Sequence, residues 1–76
     1  MQKLITMIAK ELVTKPDEVV VEEAGERDGF IVYNLSVAEE DKGFLIGKHG
    51  RVARSIRNIV KAAAAREGKK INIDII

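Results

Sequence analysis

Cysteine and tryptophan are absent from this 76-residue chain, and proline, histidine and tyrosine each occur once. Without cysteine there is neither a disulfide scaffold nor a thiolate metal site. The single histidine, His49, has no second histidine or cysteine to share a metal ion. The two serines, Ser36 and Ser55, are predicted within a strand and a helix, where no base is positioned to activate them. The sequence therefore predicts a protein that is not an enzyme and uses no metal or cofactor.

Long apolar runs are also missing, since no stretch approaches the ~20 residues that span a bilayer. Lys10 and Glu11 interrupt the apolar residues near the N-terminus, unlike the layout of a signal peptide. A phosphate-binding Walker loop is excluded because Gly43 and Gly47 are one residue too close and no Ser or Thr follows Lys48. We expect a cytoplasmic protein without a membrane span, folded as one domain over residues 1–76.

Basic residues are scarce in the first half of the chain, and acidic residues are scarce in the second half. Residues 1–41 contain four basic and ten acidic residues, a net charge of −6, whereas residues 42–70 contain nine basic and one acidic residue, a net charge of +8. Asp74 adds one further negative charge, so the overall charge is only +1 and conceals this separation. Such a basic segment is either a solvated surface or the binding face for a polyanion.

Hydrophobic periodicity predicts one helix and a hairpin in the first half. Apolar residues at helical spacing indicate a helix over residues 2–13, which ends before Pro16. Residues 19–24 and 30–37 are rich in β-branched and alternating apolar side chains, which indicates two strands. The glycine-bounded residues 25–29 have the length of a hairpin connection.

The second half is predicted to contain two helices and a strand. Asp41 is a candidate N-cap for a short helix over about residues 42–46, and a turn at 47–50 separates it from a helix over 51–66. Residues 71–76 alternate as a closing strand. The predicted fold class is α+β, in the order α-β-β-α-α-β, with a mixed three-stranded sheet covered on one face by three helices.

The helix over 51–66 is predicted to be amphipathic and cationic. Its apolar stripe consists of Val52, Ala53, Ile56, Ile59, Val60, Ala63 and Ala64, and the cations Arg54, Arg57 and Lys61 lie beyond the edge of that stripe. The aromatic side chains of Tyr33 and Phe44 are either core residues or platforms for stacking, and the core is favoured for both.

The 47–50 turn is the most informative part of the sequence. Gly47 and Gly50 bracket Lys48 and His49, so another backbone can approach closely where no side chain intervenes. The unpaired N–H groups that begin the following helix favour an anion, and Arg51 adds a charge there. His49 is either a solvated loop residue or a contact, and contact is favoured. The pattern predicts binding of a phosphate backbone.

The run Leu45-Ile46-Gly47-Lys48-His49-Gly50, placed between two helices, resembles a KH domain of the bacterial type (type II). Its continuation through Arg57 is similar to the small stand-alone KH-domain proteins of bacteria, a resemblance that covers the whole chain. It implies binding of about four nucleotides of single-stranded RNA or DNA.

The resemblance also implies roles for particular residues. Gly47 and Gly50 would permit close approach, Lys48 and His49 would contact phosphate or sugar with support from Arg51, and Ile46 and Val52 would line an apolar groove. To these the charge pattern adds four candidate RNA-binding cations, which are Arg54, Arg57, Lys69 and Lys70.

The resemblance implies partners as well. Small bacterial KH proteins are associated with homodimers, with a larger KH-containing partner, and with RNA chaperoning and post-transcriptional control. Two alternatives stay open at this point. The chain would be a protein-interaction adaptor if the alanine-rich helix and the terminal Ile75 and Ile76 were exposed, or it would be a ribosome-associated factor.

Overall fold

The computed structural model describes residues 1–76, and it consists of two α-helices, one short 3-10 helix and three strands. In chain order these are α1 (Gln2–Leu12), the 3-10 helix (Pro16–Glu18), β1 (Val20–Arg27), β2 (Phe30–Ser36), α2 (Glu39–Arg66) and β3 (Ile71–Ile75). No helix is long and apolar enough to cross a membrane.

The α1 helix buries only part of its apolar surface. Ile5 and Ala9 are fully buried, and the helix ends before Pro16 as expected. Leu12, which helical spacing from Ile5 and Ile8 predicted on the apolar face, is instead 42% exposed. A cavity lined by Leu12, Thr14 and Phe44 lies at this end of α1, so the last turn is not covered by the rest of the core.

The hairpin is tighter than the sequence indicated. β1 continues to Arg27, three residues beyond its predicted end, because an irregularity in the register between Glu23 and Gly25 allows pairing to resume. Only Asp28 and Gly29 remain in the turn, with φ angles of 54° and 83°. Positive φ at both positions is what a two-residue type I′ turn requires, and Asp-Gly is among its preferred sequences.

The sheet is mixed and has β2 at its centre. β1 pairs antiparallel with β2, and β3 pairs parallel with β2, so the predicted three-stranded mixed sheet is confirmed. Tyr33 and Leu35 of β2 are buried against the helices, as their alternation indicated. The parallel register places Tyr33 opposite Ile73, whose side chain joins the same core.

The count of three helices is corrected to two α-helices. Where separate helices over 42–46 and 51–66 were predicted, the structure has α2, in which two helical segments meet at a kink and only residues 47–50 leave the helical region of dihedral angles. Because helical turns run up to this interruption from both sides, α2 bends there and continues. We call residues 39–46 the N-terminal arm and residues 51–66 the C-terminal arm of α2.

Asp41 does not cap α2. The helix begins earlier, at Glu39, with Ala38 at the N-cap position and no side-chain cap. Asp41 lies within the first turn, where it is only 2% exposed. Its carboxylate accepts hydrogen bonds from the backbone N–H and hydroxyl of Thr14, both at 2.9 Å, and from the backbone N–H of Lys15 at 3.1 Å. It therefore ties the segment after α1 to the start of α2.

The C-terminal arm of α2 buries a narrower stripe than predicted. Ala53, Ile56, Val60 and Ala64 are buried, with Val52 and Ala63 partly covered at the edge. Ile59 was predicted in this stripe but is 54% exposed. It lies about 100° around the helix from Val60, beyond the edge that the sheet covers.

Candidate nucleic-acid interface

The interruption in α2 is a left-handed turn. Gly47 has φ −68° and ψ 168°, and the next three residues, Lys48, His49 and Gly50, have φ angles of 50°, 64° and 68°. Glycine adopts positive φ without penalty, but a side chain there costs about 1–2 kcal/mol per residue. Lys48 and His49 therefore occupy a costly conformation that projects them from the bend, and such strain is concentrated at functional sites.

Arg54 stabilises this turn. Its guanidinium, from the first turns of the C-terminal arm, donates a hydrogen bond of 3.0 Å to the backbone carbonyl of His49. This bond ties the C-terminal arm of α2 to the backbone of the turn. Because Arg54 is exposed and a guanidinium has five N–H donors, most of its donors stay free for a ligand.

The side chains of Lys48, His49 and Arg51 are exposed and take part in no ion pair or side-chain hydrogen bond. They follow one another around the bend, beside the two glycines that bracket it. The positive charge of Lys48 and Arg51 is therefore not neutralised within the molecule. Lys48 and Arg51 are therefore two predicted binding residues whose charges are unpaired in the structure.

A cavity of about 400 Å³ adjoins the turn. Its lining residues are Gly43, Phe44, Gly47, Lys48, Arg51 and Val52. Val52 is partly buried there, as an apolar groove residue should be. Ile46 does not line this cavity, although it is 51% exposed, because it follows Phe44 by two positions and so lies about 160° around the N-terminal arm. The structure thus places Ile46 and Val52 apart.

The other predicted cations have partners within the molecule. Arg57 is partly buried, and its Nε donates a hydrogen bond of 3.1 Å to the carbonyl of Ile73 on the free edge of β3. Lys69 pairs with Glu67 at 3.7 Å. The amine of Lys70 lies 5.9 Å from the centre of the Phe30 ring. Arg57 therefore protects a sheet edge, and the two lysines make exposed contacts of low energy.

Phe44 is a functional candidate that the sequence assigned wrongly. It was predicted in the core, but its side chain is 55% exposed beside the turn. The neighbouring Leu45 is fully buried and Asp41, one turn earlier, is buried as well. Two buried positions four residues apart define the covered face of the N-terminal arm, and that spacing was the signal for placing Phe44 on its flank.

No cluster of three or more His, Asp or Glu side chains is close enough to hold a metal ion. Burial raises the pKa of Tyr33, with a smaller contribution from the nearby charge of Glu23, and this residue lies in the core away from the turn. The side chains that surround the bend are therefore cationic, apolar and aromatic.

The sequence of this chain matches a known family over almost its whole length. The family model described as the KhpA/KhpB KH domain matches residues 2–75. A protein named RNA-binding protein KhpA from Clostridium perfringens is 49% identical over 77 residues, covering all of both chains. Proteins of the same name from Listeria monocytogenes and Chlamydia trachomatis are 45% and 37% identical, covering all of this chain and 99% and 96% of their own. The chain therefore belongs to the KhpA/KhpB family of KH-domain proteins.

Proposed function

We propose that this protein binds single-stranded RNA without catalysing a reaction, and that the 47–50 turn of α2 is its contact with the RNA backbone. The observation that carries the proposal is the interruption of α2 by a left-handed turn that exposes Lys48 and His49. The relatives named RNA-binding protein KhpA support it. Residues 1–76 then form one KH domain of type II, in which the two arms of α2 serve as its consecutive helices.

The physical case rests on access and charge. An added Cβ at Gly47 or Gly50 would stand in open space, so a strand can approach the bare backbone at both ends of the turn. Lys48 and Arg51, which take part in no ion pair, supply positive charge for phosphates. His49, which is exposed between them, reaches sugar or phosphate.

The remaining candidate residues have supporting roles in this proposal. Arg54 holds the turn through His49 and offers its free donors to the RNA. The contacts of Lys69 and Lys70 are exposed and contribute little, so a phosphate can displace them. Arg57 donates a hydrogen bond to the edge of β3, and we assign it chiefly a role in stabilising the fold. Ile46 and Val52 make apolar contacts on opposite flanks of the turn.

RNA in this proposal is recognised as a flexible single strand, because its bases are accessible to protein only when they are unpaired. A single module that holds few nucleotides binds with modest affinity, which pairing of two modules would raise through effective concentration. We place the protein in the cytoplasm as an RNA chaperone or post-transcriptional regulator, acting as a homodimer or with a larger KH-containing protein.

The first experiment is an NMR titration of the backbone amides with a short single-stranded RNA at low salt. The natural protein is compared with a Lys48→Asp, His49→Asp variant, and we expect shifts at about residues 42–57 and in the 67–70 loop in the natural protein only. A matched control is Lys10→Asp, Met7→Asp, which makes the same change in net charge at exposed positions of α1. This control should bind RNA with an affinity within about twofold of the natural protein, since α1 is outside the proposed site.

Equal loss of binding in both variants would mean that only overall charge matters, and it would remove the 47–50 turn from the proposal. Absence of shifts in the natural protein would favour the second candidate, a protein-interaction adaptor. The observation behind that candidate is Ile59, a large apolar side chain that is 54% exposed on the C-terminal arm.

A further inference from the structure

Two of the six glycines are not explained by backbone conformation. Gly25, Gly29, Gly50 and Gly68 have positive φ angles, whereas Gly43 and Gly47 do not. An added Cβ at Gly43 or Gly47 would meet no heavy atom within 4 Å. The fold therefore requires glycine at neither position, although glycine within a helix is about 1 kcal/mol less favourable than alanine. Gly43 carries this cost in the N-terminal arm.

The two glycines lie four residues apart and both line the cavity of about 400 Å³ beside the turn. Since nothing occupies the space next to either Cα, a side chain at these positions would project into that cavity. Glycine keeps the cavity open and leaves bare backbone along one side of it. The cavity is within the size range of small-ligand pockets, about 300–1,000 Å³.

The rest of the lining matches the parts of a nucleotide. Phe44 offers an aromatic ring that is 55% exposed, and Val52 adds an apolar surface. Lys48 and Arg51, neither of which has an internal partner, bring two positive charges to the rim. An aromatic ring stacks with any base, and cations beside it attract the phosphates of the same strand.

This cavity is on the flank of α2 that faces away from β3. Arg57 reaches β3, and it follows Val52 by five residues, which corresponds to about 140° around the C-terminal arm. The aromatic cavity and the β3 edge are therefore separate surfaces on either side of the turn. An RNA strand that crosses the turn meets the cavity on one flank only.

We propose that this cavity holds one unpaired base of the bound strand, stacked on Phe44 and seated against the bare backbone of Gly43 and Gly47. Lys48 and Arg51 contact the phosphates that adjoin that base. The inference rests on the proposed RNA binding and adds to it a base-binding residue, Phe44, outside the Gly-x-x-Gly turn.

The first test measures binding of a short fluorescein-labelled single-stranded RNA, by fluorescence anisotropy, to the natural protein and to Phe44→Ala and Phe44→Tyr. Base stacking on an aromatic side chain corresponds to a loss of about 5- to 150-fold when it is removed by alanine. We expect a loss in this range for Phe44→Ala and affinity within about twofold for Phe44→Tyr, which keeps the ring. Met7→Ala is the matched control, because Met7 is 61% exposed on α1 and lines no part of this cavity.

The second test identifies the base. The same RNA is prepared as a series in which each nucleotide in turn is made abasic, and each is bound to the natural protein and to Phe44→Ala. Stacking of one base predicts a single position at which the abasic RNA and the Phe44→Ala variant show no additional loss when combined. Gly43→Leu, whose Cβ would meet no neighbouring atom and whose side chain would occupy part of the cavity, should weaken binding as much as Phe44→Ala.

The outcomes separate the two proposals. If the natural protein binds, the Lys48→Asp, His49→Asp variant does not, and Phe44→Ala and Gly43→Leu bind normally, the turn is the RNA site and this inference is overturned. A uniform loss across the abasic series, with no position coupled to Phe44, would also overturn stacking. If the natural protein binds no RNA, the proposed function fails, and the base site fails with it.

Discussion

Asp41 is the only charged residue that the fold buries. Its three hydrogen-bond donors come from Thr14 and Lys15, which follow α1, so the carboxylate joins two parts of the chain that are 26 or more positions apart. The backbone N–H of Thr14 is the main cause that lowers the pKa of Asp41, and burial opposes it. The hydroxyl of Thr14 and the N–H of Lys15 lower the pKa further. The contact stabilises the folded protein while the carboxyl is ionised.

This contact predicts a loss of stability in acid. Because the pKa of Asp41 is lower in the folded protein than its ordinary value of 3.8, the unfolded chain binds the proton more readily. Asp41 therefore stabilises the fold fully above that ordinary pKa, and the contribution is lost as the pH falls through the lowered one. Urea unfolding followed by circular dichroism between pH about 7 and about 2 should show this decline.

The control for this prediction is Glu40. The exposed side chain of Lys15 donates a hydrogen bond to Glu40, and this bond lowers the pKa of Glu40. Asp41→Asn should be less stable at neutral pH and should lose much of the acid-dependent decline, whereas Glu40→Gln should keep most of it. An acid profile that is unchanged in Asp41→Asn would show that Asp41 is not the responsible group.

At the scale of the element, α2 combines two glycines with opposite requirements. Gly43 is in the helical N-terminal arm with free space around it, so Gly43→Ala should raise the free energy of unfolding by up to about 1 kcal/mol. Gly50 has φ +68°, so Gly50→Ala should lower the free energy of unfolding by about 1–2 kcal/mol. Urea denaturation of the two variants beside the natural protein measures both effects.

The paired design is informative because both substitutions add one methyl group to the same helix, and neither creates a close contact. The difference between them therefore reports on backbone conformation alone. Similar effects of the two variants would contradict the left-handed turn at residue 50. A strongly destabilising Gly43→Ala would show that the cavity beside Gly43 is filled in the folded protein.

At the scale of the whole molecule, nine of the thirteen basic residues lie on α2 and the loop after it, while the first turn of α2 is acidic. β1 and the segment before it carry many of the acidic residues of the first half, while α2 and the loop after it carry the basic residues of the second half. A polyanion is attracted to one side of such a molecule and repelled from the other. In the proposed function, this distribution of charge orients an RNA strand toward α2.

This polarity predicts a salt-dependent affinity. If three or four phosphates are neutralised, log affinity should fall against log salt concentration with a slope of about −2 to −3, since each phosphate of a single strand contributes about −0.7. Removing two charges in Lys48→Gln, Arg51→Gln should make the slope shallower by about 1.4. Anisotropy titrations over a series of salt concentrations provide the measurement, and a slope near zero for the natural protein would contradict the cationic interface.

Local patterns were enough to predict much of this protein. The alternation from Ile31 to Val37 identified the buried face of β2, because neighbouring strand residues point to opposite faces. Gly47 and Gly50 located the bend of α2, and Gly50 tolerates the positive φ found there. These features depend on a few consecutive residues, and the sequence alone determined them.

Tertiary structure decided which flanks are covered and which partners polar groups take. Periodicity gives the angle of Phe44 or Ile59 around a helix, but the width of the covered stripe depends on where the sheet and α1 pack. The hydrogen bonds between Thr14 and Asp41, and between Arg57 and the carbonyl of Ile73, form only when segments that are distant in the sequence pack together. The sequence thus determined the bend and its charges, and packing determined which of those side chains remain free to bind.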